Sequence, residues 1–355
     1  MTAEAPSQEQ PRWFGRPISP LTARRLANFR RNSRGYYSLI ILVVLFGTSL
    51  FAEVIANDRP LVISYQGSLY FPVFKSYPET TFGGTFVTEA NYRSPYVRKL
   101  IAAGGWAVWP PIPFSYRTTI TDLPGPAPSP PDGINWLGTD DQARDVLARA
   151  IYGFRVSVLF GVVLTIATTT IGVLAGAIQG YFGGWIDLLF QRFLEIFSSL
   201  PTLYILIILS SIFEPSVITL FLILLAFNWT WPVGVVRAEF LRVRNLEYVR
   251  SAKALGMTDW RVMTKHILPN AMVTTLTFLP FTLSGNVTIL TALDFLGLGL
   301  PPGSPSLGEL LSQGKDNLQA IWLGITAFVV TAGLLVLTIF VGEGIRDALD
   351  PRKAK

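Results

Sequence analysis

Six stretches of the 355-residue chain carry no Asp, Glu, Lys or Arg: 35–52, 156–186, 196–213, 215–236, 266–293 and 317–342. They run 18, 31, 18, 22, 28 and 26 residues. At about 1.5 Å per residue each crosses, or nearly crosses, an apolar layer of about 30 Å. No soluble core of this size absorbs six such runs, so the pattern predicts an all-α polytopic membrane protein with six transmembrane helices. Pro201, Pro232 and Pro280 interrupt three of them and predict kinks. Gly172, Gly176, Gly180 and Gly184 recur every fourth residue at the end of the second span. That spacing suits close helix packing and also a wall where backbone faces a passage.

Between the first two spans lie about 100 residues outside the membrane, rich in aromatics and prolines. Short β-prone runs at 61–65 and 69–74, punctuated by Asp, Pro and Gly, predict a strand-containing lobe. The run Pro124–Pro131 reads as a stiff spacer. Thr139-Asp140-Asp141-Gln142 reads as a capping box, with Thr139 as N-cap. The helix it starts puts Val146, Leu147, Ala150 and Ile151 on one face and Arg144, Asp145 and Arg149 largely opposite, which suits an interfacial helix with a solvated polar face.

The chain then divides into a basic N-terminal segment (1–34), transmembrane helix 1 (35–56), the lobe and spacer (57–134), the interfacial helix (135–155), a core of transmembrane helices 2–6 (156–345) and a tail (346–355). Charge sets the topology. Seven arginines (Arg12, Arg16, Arg24, Arg25, Arg30, Arg31, Arg34) against two acids precede the first span and place the N-terminus in the cytoplasm. A cleaved signal peptide is the alternative, but the polar segment is long and no A-x-A-like site closes the apolar run. Six spans return the C-terminus to the same side. Residues 237–265 hold seven Lys/Arg and three acids, and the tail holds Arg346, Arg352, Lys353 and Lys355, in keeping with cytoplasmic loops.

Composition removes several chemistries. Only 15% of residues are charged, the net charge is +6, and mean hydropathy is +0.43. With no Cys and a single His266, disulfides, thiolate metal sites and a histidine-built metal centre are excluded. No G-x-x-x-x-G-K-[ST] run offers a nucleotide phosphate loop. Acids lie near span ends (Asp187, Glu195, Asp294, Glu343), with Glu195 and Asp294 the best placed for ion coupling, each at a boundary that water reaches. A secondary transporter and an intramembrane hydrolase therefore lack support.

The cytoplasmic loop 238–270 carries the strongest signal. Glu247 to Leu255 forms helix well, Gly256 stops it as a C-cap, Thr258 and Asp259 cap a second helix, and Pro269 closes that helix. Lodged between two spans, this helix–turn–helix cannot easily reach a duplex groove, so no nucleic-acid partner is expected. A knob that docks a partner protein is more economical.

This loop resembles the EAA signature of binding-protein-dependent ABC importer permeases: E-A-A, three residues, G, nine residues, I-x-L-P. Ala252, Gly256, Leu268 and Pro269 match; Arg250 and Ser251 depart from E-A, and His266 replaces the isoleucine. Residues 135–149, 295–299 and 346–352 look like the C-type permease subunits of dipeptide and oligopeptide importers, with Ala143 where that branch usually has Gly. The long aromatic outer segment is most similar to the Yej-type oligopeptide and microcin C permeases.

The resemblance implies a type I ABC importer permease fold in the bacterial inner membrane, non-catalytic, with a periplasmic lobe after helix 1. It also implies a second homologous permease as heterodimer partner, ABC ATPase subunits that bind the ATP and Mg, and a periplasmic peptide-binding protein. The cargo would be oligopeptides, with microcin C-like conjugates and cell-wall peptides among those it allows, moved by alternating access. ATPase docking falls to Arg250, Ser251, Ala252, Ala254, Leu255, Gly256, Met257, Thr258, Asp259, Trp260, Leu268 and Pro269. Asn228, Thr230, Asn286 and Thr288 are polar groups inside apolar windows. They are candidates for passage lining, or equally for bonds across helices. A non-transporting scaffold or sensor subunit is the alternative, and a channel comes third.

Overall fold

Long apolar segments become helices because only a helix satisfies its own backbone groups in a lipid environment. The computed structural model describes residues 19–350, together with a short antiparallel pairing of Arg12–Trp13 with Arg16–Pro17. The other residues of 1–18, and Arg352, Lys353 and Lys355 of the tail, lie outside the described residues.

A basic helix α1 (Pro20–Arg31) precedes the first span, α2 (Ser33–Leu50). The second span is α4 (Val146–Phe182); the third is a pair, α5 (Gly184–Ser199) and α6 (Thr202–Ile212), bent by 71° at Pro201. The fourth comprises α7 (Val217–Asn228) and α8 (Thr230–Val243); the fifth is α10 (Asp259–Phe295); the sixth is α12 (Ile321–Leu349). Two short helices sit in the connections, α9 (Glu247–Ala254) and α11 (Leu307–Asp316). Five helices, or six with the bent pair as one, are long and apolar enough to span. The chain is a polytopic helical membrane protein.

Glycine lets these helices cross closely. A Cβ on Gly172 would sit 2.7 Å from the Pro232 ring, one on Gly176 2.7 Å from the Val233 carbonyl, and one on Gly180 2.5 Å from Phe240. The α4 stripe therefore serves packing against α8. Gly184 does not join it: with φ +56 it opens α5.

The lobe after α2 holds an antiparallel sheet in the order β2-β1-β3, with β1 at Val62–Tyr65, β2 at Ser68–Tyr70 and β3 at Gly105–Val108. Helix α3 (Pro95–Gly104) runs directly into β3. Ile63, Tyr65, Phe82, Tyr92, Val97 and Ile101 form its core. A second cluster, with Ala52, Ala56, Ile112, Phe114, Ala148 and Tyr152, fixes the lobe to the start of α4.

Three local readings are corrected. Thr139 is not an N-cap: residues 139–145 form a loop closed by a Thr139–Asp145 bridge, and Asp145 caps α4 by accepting the Ala148 N–H at 2.7 Å. Residues 135–145 therefore form no separate interfacial helix, and 146–155 are the first turns of the span. The proline run is tied down near its end, where buried Ser129 exchanges two bonds with Thr139, N–H to Oγ1 and carbonyl to N–H, both 2.9 Å. Pro269 does not close a helix either. It lies inside α10, two residues after a π turn over Met263–Ile267 in the same helix, whose looser i→i+5 spacing accommodates a residue with no N–H to give.

Candidate functional site

The connection between α8 and α10 is a hairpin with a buried base and an exposed tip. Helix α9 ends at Leu255, after which Gly256 adopts φ +82; its N–H reaches the Lys253 carbonyl at 2.9 Å and the Met257 N–H reaches Ala252 at 3.2 Å. This is a Schellman closure, which favours glycine because a Cβ is strained at positive φ. Thr258 takes the N-cap position of α10 without a side-chain bond.

Val249, Val262, Met263 and Ile267 bury themselves against Ala177 and Tyr181 of α4 and Val236, Phe240 and Val243 of α8, with Met257 and Leu268 packed around them. The three that are wholly buried, Val249, Val262 and Ile267, each contribute about 1.5–3 kcal/mol. Polar ties reinforce the base. The Tyr181 hydroxyl donates to Asp259, and the Lys253 ammonium lies 4.3 Å from the Tyr181 ring centre and 3.7 Å from Asp259. Arg244 donates to the carbonyls of Gly180 and Tyr181 at 3.0 and 3.1 Å, completing the C-terminal end of α4. Arg237 forms a two-pronged ion pair with Asp187 at 2.5 and 2.7 Å, tying α8 to α5.

At the tip the balance reverses. Leu255 is 87% exposed and Trp260 69%. Arg250, Ser251, Ala254, Gly256, Thr258 and Asp259 are exposed beside them, Ala252 is buried, and Pro269 is exposed farther along. Two large apolar side chains are held out on a rigid base, an arrangement of the kind that can seat in a groove of another protein. Tyr181, Arg237 and Arg244 were not singled out in the sequence, and Asp187 only as an acid near a span end. The one available signal was the position of the two arginines just past a charge-free window.

The far end of α4 holds a second constellation that sequence reasoning took for a solvated face. Asp140 and Arg149 are wholly buried, and Asp145 and Arg144 nearly so. Arg144 donates through Nε to Asp140 at 2.7 Å and through Nη2 to Glu309 at 2.9 Å. Arg149 donates to Glu309 at 2.7 Å, to the Ser304 carbonyl at 3.1 Å and to the Tyr116 carbonyl at 3.3 Å. The cluster thus joins the lobe, α4 and the 296–306 loop. Burial raises the Asp145 carboxyl to about 6 against the pull of its Ala148 amide bond, and burial beside Asp140 raises Asp141 as well. Ala143 holds φ +58 here, a left-handed conformation that favours glycine. Asp294, expected at a watery boundary, is buried and accepts from the Leu300 amide and the Ser306 hydroxyl, so it organises the same loop.

The four polar candidates in the spans separate. Asn286 is 3% exposed and donates to Thr165 at 2.9 Å while accepting from Asn228 at 3.0 Å. It clamps three helices, so at this position the structure has the cross-helix bonds that were the equal alternative. Thr230 bonds back to the Phe227 carbonyl and Thr288 to the Ser284 carbonyl, which satisfies each hydroxyl within its own segment.

Residues 169–355 match the family described as binding-protein-dependent transport system inner membrane component. The chain is 55% identical to the peptidoglycan transport system permease protein YejE of Agrobacterium fabrum, over 96% of this chain and 94% of the relative. It is 55% identical to the inner membrane ABC transporter permease protein YejE of Escherichia coli, over 95% and 99%. It is 35% identical to the oligopeptide transport system permease protein OppC of Haemophilus influenzae, over 68% and 78%.

Proposed function

The chain belongs to the binding-protein-dependent inner membrane components as the permease subunit of an ABC peptide-type transporter, and from that premise we propose that it couples a cytoplasmic ATPase to oligopeptide uptake by alternating access. The observation that carries the reading is the hairpin, an apolar Leu255–Trp260 tip on a base locked to α4 and α8. A nucleotide shifts a conformational equilibrium in this subunit only through a contact whose strength differs between states. The hairpin is the structured element best suited to be that contact.

The partner ATPase pair holds ATP and Mg, and a second homologous permease completes the passage as a heterodimer. A periplasmic binding protein delivers cargo to the lobe. Helix α4 supports this division of ends: its 37 residues span about 55 Å, with the lobe packed at its start and the hairpin at its finish. The hairpin and both termini then lie in the cytoplasm, a reading that the arginine distribution supports. The relatives' names speak of peptidoglycan and oligopeptide transport, which supports cell-wall peptides and oligopeptides as cargo; microcin C-like conjugates are a further class that the sequence resemblance implies.

Reconstitution with the ATPase and the binding protein tests the reading. Muropeptide and unmodified oligopeptides should each stimulate ATP hydrolysis when the binding protein is present. Hydrolysis indifferent to peptide, with the complex intact, would leave a scaffold or sensor subunit instead.

A further inference from the structure

The first half of the broken third span, α5, carries charge where a helix facing lipid has none. At 3.6 residues per turn, Gln191, Arg192, Glu195, Ser198 and Ser199 fall within about 120° of one face, with Leu188 the one apolar side chain among them. Trp185, Leu189, Phe193 and Ile196 lie outside that arc. Arg192 donates through Nη1 to Glu195 at 2.6 Å, and the two side chains stay 72% and 56% exposed. They pair with no other charged group among the described residues. Asp187, by contrast, turns to α8 and is held by Arg237. The chain covers the charge near the start of α5 and leaves the deeper pair open.

Ring contacts fix how deep that pair lies. Phe193, between the two charges, stacks on Trp229 at 6.5 Å, and Phe197 stacks on Phe227 at 5.1 Å. The Trp229 carbonyl lies 3.1 Å from where a Cβ on Gly172 would stand. Gly172 precedes the Phe182 end of α4 by ten residues, about 15 Å along the helix. Glu195, expected at a span boundary, is therefore eleven residues into the broken span, two turns past the Asp187–Arg237 pair.

Ionisable groups at such depth face a bundle interior or water, because lipid tails offer them nothing. Arg192 is long enough to extend toward headgroups, but Glu195 is not, and it holds Arg192 beside it. A second permease and an aqueous passage are the two surfaces left. The pair is satisfied within its own helix, so it calls for no counter-charge from a partner helix. Ser198 and Ser199 continue the polar face up to the bend at Pro201. Both features favour water. An ion pair in water gains little by staying closed, so it exchanges partners readily: Arg192 for another carboxylate, Glu195 for another ammonium. The ligand complementary to both is a zwitterion with separate ends, which is the chemistry of a short peptide.

We propose that the Arg192–Glu195 pair lines the passage and receives the charged termini of an oligopeptide in transit, the carboxylate at Arg192 and the ammonium at Glu195. This deepens the oligopeptide reading above and rests on it.

The test uses the whole transporter complex in membrane vesicles and has two arms. In the first, Arg192→Cys and Glu195→Cys are exposed to a membrane-impermeant sulfonated thiol reagent, with and without ATP; the chain has no native cysteine to interfere. Both thiols should react in at least one condition, while Val44→Cys, at an exposed apolar position of α2, should not. In the second arm, uptake of a free tripeptide is compared with uptake of its C-amide and its N-acetyl form. Arg192→Gln should lower the free-to-amide ratio about threefold, as suits a contact made in water, and Glu195→Gln should lower the free-to-acetyl ratio by a similar factor. The binding protein is the same in every sample, so its own preference cancels. Thiols that stay unreacted in both conditions put the pair against the second permease and overturn the proposal. Normal uptake with both ratios unchanged overturns it as well. A wild type that takes up none of the three peptides fails the oligopeptide reading itself, a result distinct from the other two.

Discussion

Replacing Glu309 by Gln keeps its size and removes its charge, so the variant isolates what that carboxylate does. The residue accepts from Arg144 at 2.9 Å and from Arg149 at 2.7 Å, and Arg149 is wholly buried. Removing one partner of a buried pair costs about 3–5 kcal/mol, because the other charge stays uncompensated. Two features lower that figure here. The Glu309 side chain keeps 27% of its surface exposed, and Asp140 remains 3.4 Å from Arg149 Nε. A loss of about 2–3 kcal/mol is therefore expected. Thermal unfolding of the purified complex measures it, and limited proteolysis around 296–306 locates it, since Arg149 also holds the Ser304 carbonyl. In a cycle with Arg149→Met, the double variant should be more stable than the sum of the singles by at least about 1 kcal/mol. Effects that add within about 0.5 kcal/mol would refute the claim that these charges form one buried network.

Three further outcomes follow from named geometry. Gly256→Val forces a β-branched residue to φ +82; the complex should lose ATPase subunits on purification and lose peptide uptake at normal abundance. Ala143→Gly relieves a left-handed alanine and should raise stability by up to about 1 kcal/mol, read as a higher unfolding temperature. Asp145 titrates at about 6 against an ordinary 3.8, so folding favours its neutral form. The cost is absent below pH about 4, grows as the pH rises, and is complete above about 6, reaching about 3 kcal/mol. Asp145→Asn keeps an acceptor for the Ala148 amide and should flatten stability between pH 4 and 6.

The spans were legible because charge-free length is the dominant requirement for crossing a bilayer, and Pro201 marked the sharpest bend. The start of α4 was not. Arg149 and Arg155 ended the charge-free window ten residues too late, yet Arg149 is neutralised by Glu309 and Asp140, and Arg155 by Glu53 at 2.8 Å. Charges paired across more than a hundred residues, as Arg149 with Glu309 and Arg155 with Glu53, leave no local signal. The same holds for Asn286, whose partners Thr165 and Asn228 come from other helices. The hairpin was readable in its turn, since Gly256 is a local matter of φ. Its anchoring by Tyr181 and Arg244 depends on the tertiary docking of α4. In the lobe, β1 and β2 carried alternating β-prone runs, whereas β3 was hidden behind Gly104-Gly105 and the prolines that follow.

The central claim, that the hairpin tip docks the ATPase, is tested most directly by thiol cross-linking, because the chain contains no cysteine. Single cysteines replace Leu255, Trp260 and, at the opposite end, Val87 of the lobe, which is also highly exposed. Each variant is co-expressed with an ATPase subunit and treated, with and without ATP, with a short maleimide–succinimidyl ester reagent that joins the introduced thiol to a lysine amine of the ATPase. The account predicts cross-links to the ATPase from Leu255→Cys and Trp260→Cys, with a yield that changes on ATP binding, and none from Val87→Cys. Cross-links absent from both tip positions in an intact, ATP-hydrolysing complex would contradict it.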